Sequence, residues 1–173
     1  MDKQFLIRLE NTLRKIKRDL LLDEEIRKLL FYDSSEMERL QSEENIPFDS
    51  LDIPAIELVK GNVFLQPIVE VDNQPPYNKK VFISITSPSM GFAKADSIEY
   101  AIKISIQMDK TNWVYDGDKI RVYRLAQLVI NKLDGVKYDC ATELAFKQML
   151  ETVTDKTTTG KSLLFSIVDG VGE

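Results

Sequence analysis

The stretch "IEYAIKISIQMD", residues 98–109, constrains the fold more than any other. Ile98, Tyr100, Ile102, Ile104, Ile106 and Met108 alternate with Glu99, Ala101, Lys103, Ser105, Gln107 and Asp109. A period of two marks a strand, because successive side chains leave a pleated backbone on opposite sides. The apolar set requires a core layer on one face. The polar set predicts that the other face is wet.

Helices to cover the apolar face are legible on both sides of this strand. Phe5, Leu6, Leu9, Leu13, Ile16 and Leu20 recur at three- and four-residue steps, which predicts an amphipathic helix over 2–20. Asp23 suits the N-cap of a second, shorter helix, with Glu24 and Glu25 at the positive end of its dipole. Ile26, Leu29 and Leu30 form its apolar face. Downstream, Asp118 is placed to cap a helix running to about Leu133, with Ile120, Tyr123, Leu128 and Ile130 among its apolar positions. Asp134-Gly135 supplies the stop.

Further strands are expected at "NVFLQPIVEV" (62–71), where Pro67 implies an edge or a bulge, and at "KVFISIT" (80–86). "DNQPPYNK" between them is a turn-rich break. "SPSMGFAKADS" (87–97) is long enough to project as a loop, and "TNWVYDGD" (111–118) is a turn with an aromatic pair. Residues 33–61 form a long polar, acidic connection, with one helical turn near Glu36–Leu40. Such connections are often functional. Residues 141–153 fit a helix and a strand equally well by periodicity. They lead into a polar, Thr-rich turn and a last strand, "KSLLFSIVD". A length of 173 residues suits one domain with one core, residues 1–173.

Composition removes whole classes of chemistry. There is no histidine, so His-dependent triads, proton shuttles and His metal ligands are excluded. One cysteine, Cys140, permits no intrachain disulfide and no Cys-rich zinc site. The net charge of −5 lacks the basic excess that phosphate neutralisation demands of a nucleic-acid wrapper. "RKIKR" (14–18) is a short basic cluster, but Ile16 within it belongs to the helix's core stripe, so its charges are expected to form a solvated face. The apolar runs are too short to span a bilayer, and the charged N-terminus is unlike a secretory signal, which makes the cytoplasm the expected site of synthesis.

Several local motifs invite chemistry. Gly160-Lys161-Ser162 matches the end of the G-x-x-x-x-G-K-[ST] phosphate loop. The first glycine of that pattern falls on Asp155, whose carboxylate would repel a triphosphate, and a strand follows where a helix is needed. A small nucleotide-binding protein built around 154–162 is therefore the alternative reading, and a polar turn the favoured one. Asp109, Asp116 and Asp118 do not match the spacing of a calcium loop. "SPSMG" lacks the first glycine of a nucleophile elbow. The candidate partner contacts are Met90 and Phe92, apolar residues in an expected loop, and Trp113, Arg121 and Tyr123, the residue types enriched at interface hot spots. Arg121 opens a helix against its dipole, which predicts a specific carboxylate partner, within the chain or across a subunit boundary.

The order of elements carries a resemblance. "IRKLLFYD" (26–33), "IEYAIKISIQMDKTNW" (98–113), "IRVYRLAQLVINKL" (120–133) and "GKSLLFSIVD" (160–169) resemble segments of the tail-terminator, tail-completion and neck proteins of tailed bacteriophages. Trp113, Arg121, Tyr123 and Gly160 fit the family's aromatic turn, helix opening and late glycine. Many relatives have Arg-Pro-Tyr where this chain has Arg121-Val122-Tyr123, and the 33–61 segment does not map. The resemblance implies an α+β fold, a mostly antiparallel sheet flanked by two or three helices, with 141–153 as strand. It implies a virion protein without enzymatic activity or cofactor, assembled in the host cytoplasm. Such a subunit forms a homo-oligomeric ring, a hexamer for example, on the tail tube protein or against head-completion or connector proteins. DNA passes through its lumen without sequence-specific binding, and no membrane is involved. A head-completion or baseplate part is the nearest alternative.

Overall fold

A computed structural model describes residues 3–65, 81–94, 97–139, 142–153 and 158–170. Two aspartates divide its helical third. Helix α1, Lys3–Leu22, buries Ile16 and Leu20 completely, with Leu9 and Leu13 partly buried along the same stripe. Asp23 then accepts a hydrogen bond from Ile26 N at 3.0 Å and starts α2, Glu24–Phe31, as its cap chemistry predicts. Asp33 repeats the device, accepting from Glu36 N at 2.8 Å, and starts α3, Ser34–Ser42.

The 33–61 segment is therefore not the long connection its polarity suggested. After α3 come a 3-10 turn at Phe48–Ser50, the short helix α4 at Ile56–Val59 and another 3-10 turn at Lys60–Asn62. Few apolar residues are needed to hold it. Met37, Phe48, Leu51 and Val59 are each buried in the main core. Two α2 side chains and that of the α2 C-cap also donate to the segment's backbone carbonyls: Lys28 to Asp49 O at 2.9 Å, Arg27 to Pro54 O at 2.9 Å and Tyr32 to Asp52 O at 3.2 Å.

The main sheet is composed of β1 (Val63–Phe64), β2 (Val81–Lys94), β3 (Ser97–Asp109), β6 (Ala145–Val153) and β7 (Thr158–Gly170), in the order β1-β2-β3-β7-β6. Between β3 and β6 lie the short pair β4 (Val114–Tyr115) and β5 (Lys119–Ile120), then helix α5, Arg121–Leu133. β1 runs parallel to β2, and every other pair in the main sheet is antiparallel. The fold is α+β. Residues 145–153 are strand, which closes the alternative left by periodicity. Of the strand expected at 62–71, Val63–Phe64 is described, and Pro67 and the "DNQPPYNK" turn lie outside the described residues.

The expected projecting loop at 87–97 is also strand. The ladder with β3 shifts register between Thr86 and Ser89 and then resumes, so Met90 lies opposite Tyr100 and Phe92 opposite Ile98. A proline that donates no amide hydrogen is tolerated at such a bulge, here at Pro88, so it interrupts pairing without ending the strand.

One face of β3 behaves as the alternation predicts. Ile98, Tyr100, Ile102, Ile104, Ile106 and Met108 are buried, with Val122, Leu125, Val129 and Leu133 of α5 in the same core cluster. The other face departs from it: Glu99 is exposed, but Ser105 and Gln107 are buried. β3 is the central strand, and its neighbours there are small and hydroxylated. Ser105 Oγ lies 2.9 Å from Ser162 Oγ, and Ser162 in turn bonds Thr152. A row of hydroxyls satisfies itself across strands and needs no water.

Candidate interaction site

Arg121 is buried, although it carries a full charge. Its Nη1 donates to Leu29 O at 2.8 Å and to Tyr32 O at 2.6 Å, and Nη2 donates to Ser34 Oγ at 3.3 Å. Two of these acceptors are carbonyls of the last turn and the C-cap of α2, which have no partner inside the helix and sit at its negative end. The expected partner was a carboxylate. The partner found is a helix terminus in the same chain, which offers the same charge sign without an ion. Asp33 adds a favourable charge nearby. Burial nonetheless pulls the guanidinium pKa down to about 10.

This contact fixes what lies before it. Arg121 N donates to Trp113 O at 2.8 Å, closing a hairpin made of β4 and β5. Asp118 was expected to cap α5. It lies instead in the hairpin turn, and α5 begins after Ile120 without a side-chain cap. The cause is the Asp116-Gly117 pair, with φ of 46° and 82°, which bends the chain back on itself before a helix can start. The hairpin is pinned from three sides. Ser34 N donates to Asn112 Oδ1 at 2.9 Å, Ser34 Oγ to Val114 O, and Gln41 Nε2 to Asp116. Tyr115 packs edge-on against Phe48 at 5.2 Å between centroids and lies 5.9 Å from the Arg121 guanidinium carbon.

The outside of this knot exposes apolar side chains beside Asp118 and Lys119. Val114 and Ile120 face one another across the hairpin and are 41% and 38% exposed, and Tyr123, in the first turn of α5, is 45% exposed. Trp113 is partly buried against the core. Tyr123 carries the Lys161 ammonium 5.2 Å from its ring centroid, and that ammonium donates to Glu151 Oε1 at 2.8 Å. The hydrogen bond from Lys161 holds the Glu151 carboxyl below the ordinary carboxylate range and raises the Lys161 pKa in return. Of the sequence candidates, Arg121 meets Trp113 through Arg121 N, and Tyr123 follows two residues on, with its ring by Lys161. Met90 and Phe92 lie on β2, away in the sheet. Sequence reasoning named Ile120 only as a helix position and passed over Val114. The Asp-Gly dipeptide between them was the available signal for a hairpin.

The other motifs resolve into structure. Gly160, Lys161 and Ser162 lie inside β7, not in a loop that opens a helix. A Cβ at Gly160 would stand 1.9 Å from Ile106 O, so the glycine is required by the close approach of β3. Asp155 lies outside the described residues. In "RKIKR", Arg14 pairs with Glu10 at 2.7 Å, Lys15 with Asp139 at 2.6 Å and Arg18 with Asp19 at 3.2 Å, so carboxylates of the chain answer much of the cluster. Asp109 caps Thr111 N at 2.8 Å, and Asp116 bonds Lys119 and Gln41. Among the described residues no group of three acidic or thiol side chains could hold a metal ion, and no helix is long and apolar enough to cross a membrane. Glu99, Lys137, Glu143 and Lys147 rim an open groove of about 540 Å³, whose mixed charge selects no one ligand sign. No protein-family model and no curated protein matches the chain.

Proposed function

We propose that the chain is a structural subunit of a tailed-phage virion, of the tail-terminator, tail-completion or neck type. It would act by assembling into a ring at the head–tail junction or on top of the tail tube. The observation that carries this reading is the hairpin with Val114, Ile120 and Tyr123 at its surface. Exposed apolar residues clustered on a rigid support mark a contact surface, because little ordering entropy remains to be lost on docking. The buried Arg121 and the bonds from Ser34 and Gln41 supply that rigidity. The order of elements agrees with the family resemblance: paired helices, an antiparallel sheet, and an aromatic turn entering a helix. On this reading the ring ends tail growth or joins tail to head, and its acidic balance keeps passing DNA from adhering.

Negative-stain electron microscopy of the purified chain, alone and with tail tubes, tests the proposal. Closed rings, or caps on tube ends, are the expected result. A dispersed monomer in both preparations would overturn it.

A further inference from the structure

The hairpin surface carries a free charge. Asp118, in the turn between β4 and β5, is exposed, and among the described residues its carboxylate has no hydrogen-bond or ion-pair partner. Its neighbour Lys119 is bound to Asp116. Asp118 therefore stands on a pinned turn, beside the apolar pair Val114 and Ile120, as an acceptor that the fold itself does not use.

The opposite need arises elsewhere on the chain. α1 packs against α4, and the 3-10 turn at Lys60–Asn62 follows α4 directly. This brings Lys17 of α1 within Coulomb range of Lys60. Burial and the Lys60 charge together hold the Lys17 pKa below its ordinary value. Neither ammonium has an acceptor among the described residues. Glu57, three residues before Lys60, is exposed and forms no ion pair with it. Two like charges, one of them half-buried, thus meet without a counter-ion, which is unfavourable in the isolated chain. Lys137 and Lys147 are unpaired too, but Glu99 and Glu143 share their groove. Leu58, 51% exposed, precedes Lys60 by two residues and adds apolar surface to this shoulder.

The sheet sets the two features at opposite edges. Lys60–Asn62 runs straight into β1, one edge of the order β1-β2-β3-β7-β6. Tyr123, on the hairpin surface, lies by Lys161 of β7, and Lys161 bonds Glu151 of β6, the other edge. A head-to-tail contact needs two different surfaces on one subunit, complementary to each other. We infer that the hairpin of one copy docks on the α1–α4 shoulder of the next, with Asp118 set between Lys17 and Lys60 of that next copy and Val114 and Ile120 against its Leu58. This names the partner of the hairpin surface and rests on the ring reading, in which copies join head to tail. The incoming carboxylate supplies the counter-ion that Lys17 and Lys60 lack.

Cross-linking of the full chain tests the docking. In a Cys140→Ser background, Asp118→Cys and Lys60→Cys, both at exposed positions, are combined in one chain. The protein is treated with a short bismaleimide, alone and with tail tubes. A ladder of trimers and larger products is expected, since each copy joins two neighbours through different surfaces. Asp118→Cys or Lys60→Cys by itself should give no product. A ladder that stops at dimers, or no product in either preparation, overturns the docking. Charge reversal gives a second readout. Asp118→Lys and Lys60→Glu should each weaken assembly about tenfold, measured by sedimentation of the chain alone or with tail tubes. An equimolar mixture of the two should regain it, since copies can alternate with every contact attractive. Assembly like wild type in either variant, or a mixture that stays apart, also overturns the docking. Closed rings without a cross-linked ladder sink the docking and leave the ring reading intact. A ladder from open chains, with no rings or caps in micrographs, sinks the ring reading alone.

Discussion

The guanidinium of Arg121 reaches 2.6 Å to the carbonyl oxygen of Tyr32, joining the first turn of one helix to the C-cap of another 89 residues earlier in the chain. Arg121 is fully buried and Tyr32 is half-buried. Arg121→Ala would leave the carbonyls of Leu29 and Tyr32 without their donor and open a cavity beside Tyr115. The expected loss is about 3 kcal/mol. Arg121→Lys keeps the charge but not the fork, and should recover only part of it. Urea unfolding curves of the three proteins check the order.

Gly160 is held against Ile106 by backbone alone. Gly160→Ala places a methyl group where Ile106 O already lies, and neither strand can yield without breaking the ladder. A loss above roughly 3 kcal/mol is expected, beyond the usual range for a single substitution. Soluble expression with a wild-type melting temperature would refute it.

The two aspartate caps should behave as a matched pair. Asp23→Ala and Asp33→Ala each remove a side-chain acceptor at a helix start. Each is expected to cost about 1 kcal/mol, and replacement by Asn or Ser to cost much less. Thermal denaturation followed by circular dichroism gives both values.

Lys161 depresses the Glu151 carboxyl, so the folded value lies below the unfolded one. The pair's contribution is present above the unfolded value and is lost as pH falls through the folded one. In Lys161→Met, the Glu151 carboxyl titration followed by NMR should move up toward its ordinary midpoint. An unchanged midpoint would show that the pair does not form in solution.

The hairpin surface can be tested apart from stability. Val114→Asp and Tyr123→Ala change exposed positions that the core does not need. Each should leave the unfolding midpoint within about 0.5 kcal/mol of wild type. Each should also reduce ring formation or tube capping in micrographs. Assembly at wild-type yield in both variants would remove this surface from the proposal.

Much of the sheet was legible because β3 states its own period, and the cap at Asp23 because aspartate before a run of helix formers has a direct local cause. What sequence misjudged depended on contacts far along the chain. The polar 33–61 segment gave no periodic signal, yet Met37, Phe48, Leu51 and Val59 seat it in the main core, with Phe48 against Tyr115 of the hairpin. "SPSMG" looked like a loop because proline and glycine punctuate chains, but one bulge absorbs Pro88. Arg121 was correctly marked as needing a partner. That the partner is a helix end, set by the folding of α2 against α5, is invisible in local spacing. Tyr123 was named as a contact from its residue type, but Val114 and Ile120 escaped: their exposure follows from how the hairpin is pinned.

The strand order has a consequence for the chain as it is made. β3 is the centre of the sheet, yet one of its two neighbours, β7, begins at Thr158, long after β3 has ended at Asp109. During synthesis the most isoleucine-rich strand therefore leaves the ribosome with one edge unpaired, and it waits for α5 and the β6–β7 hairpin to follow. Pairing over such a separation is slow, since the loop between must close first. Nascent chains halted before β7 should be the aggregating species, and the emergence of β7, not of the first helix, should commit the sheet to its fold.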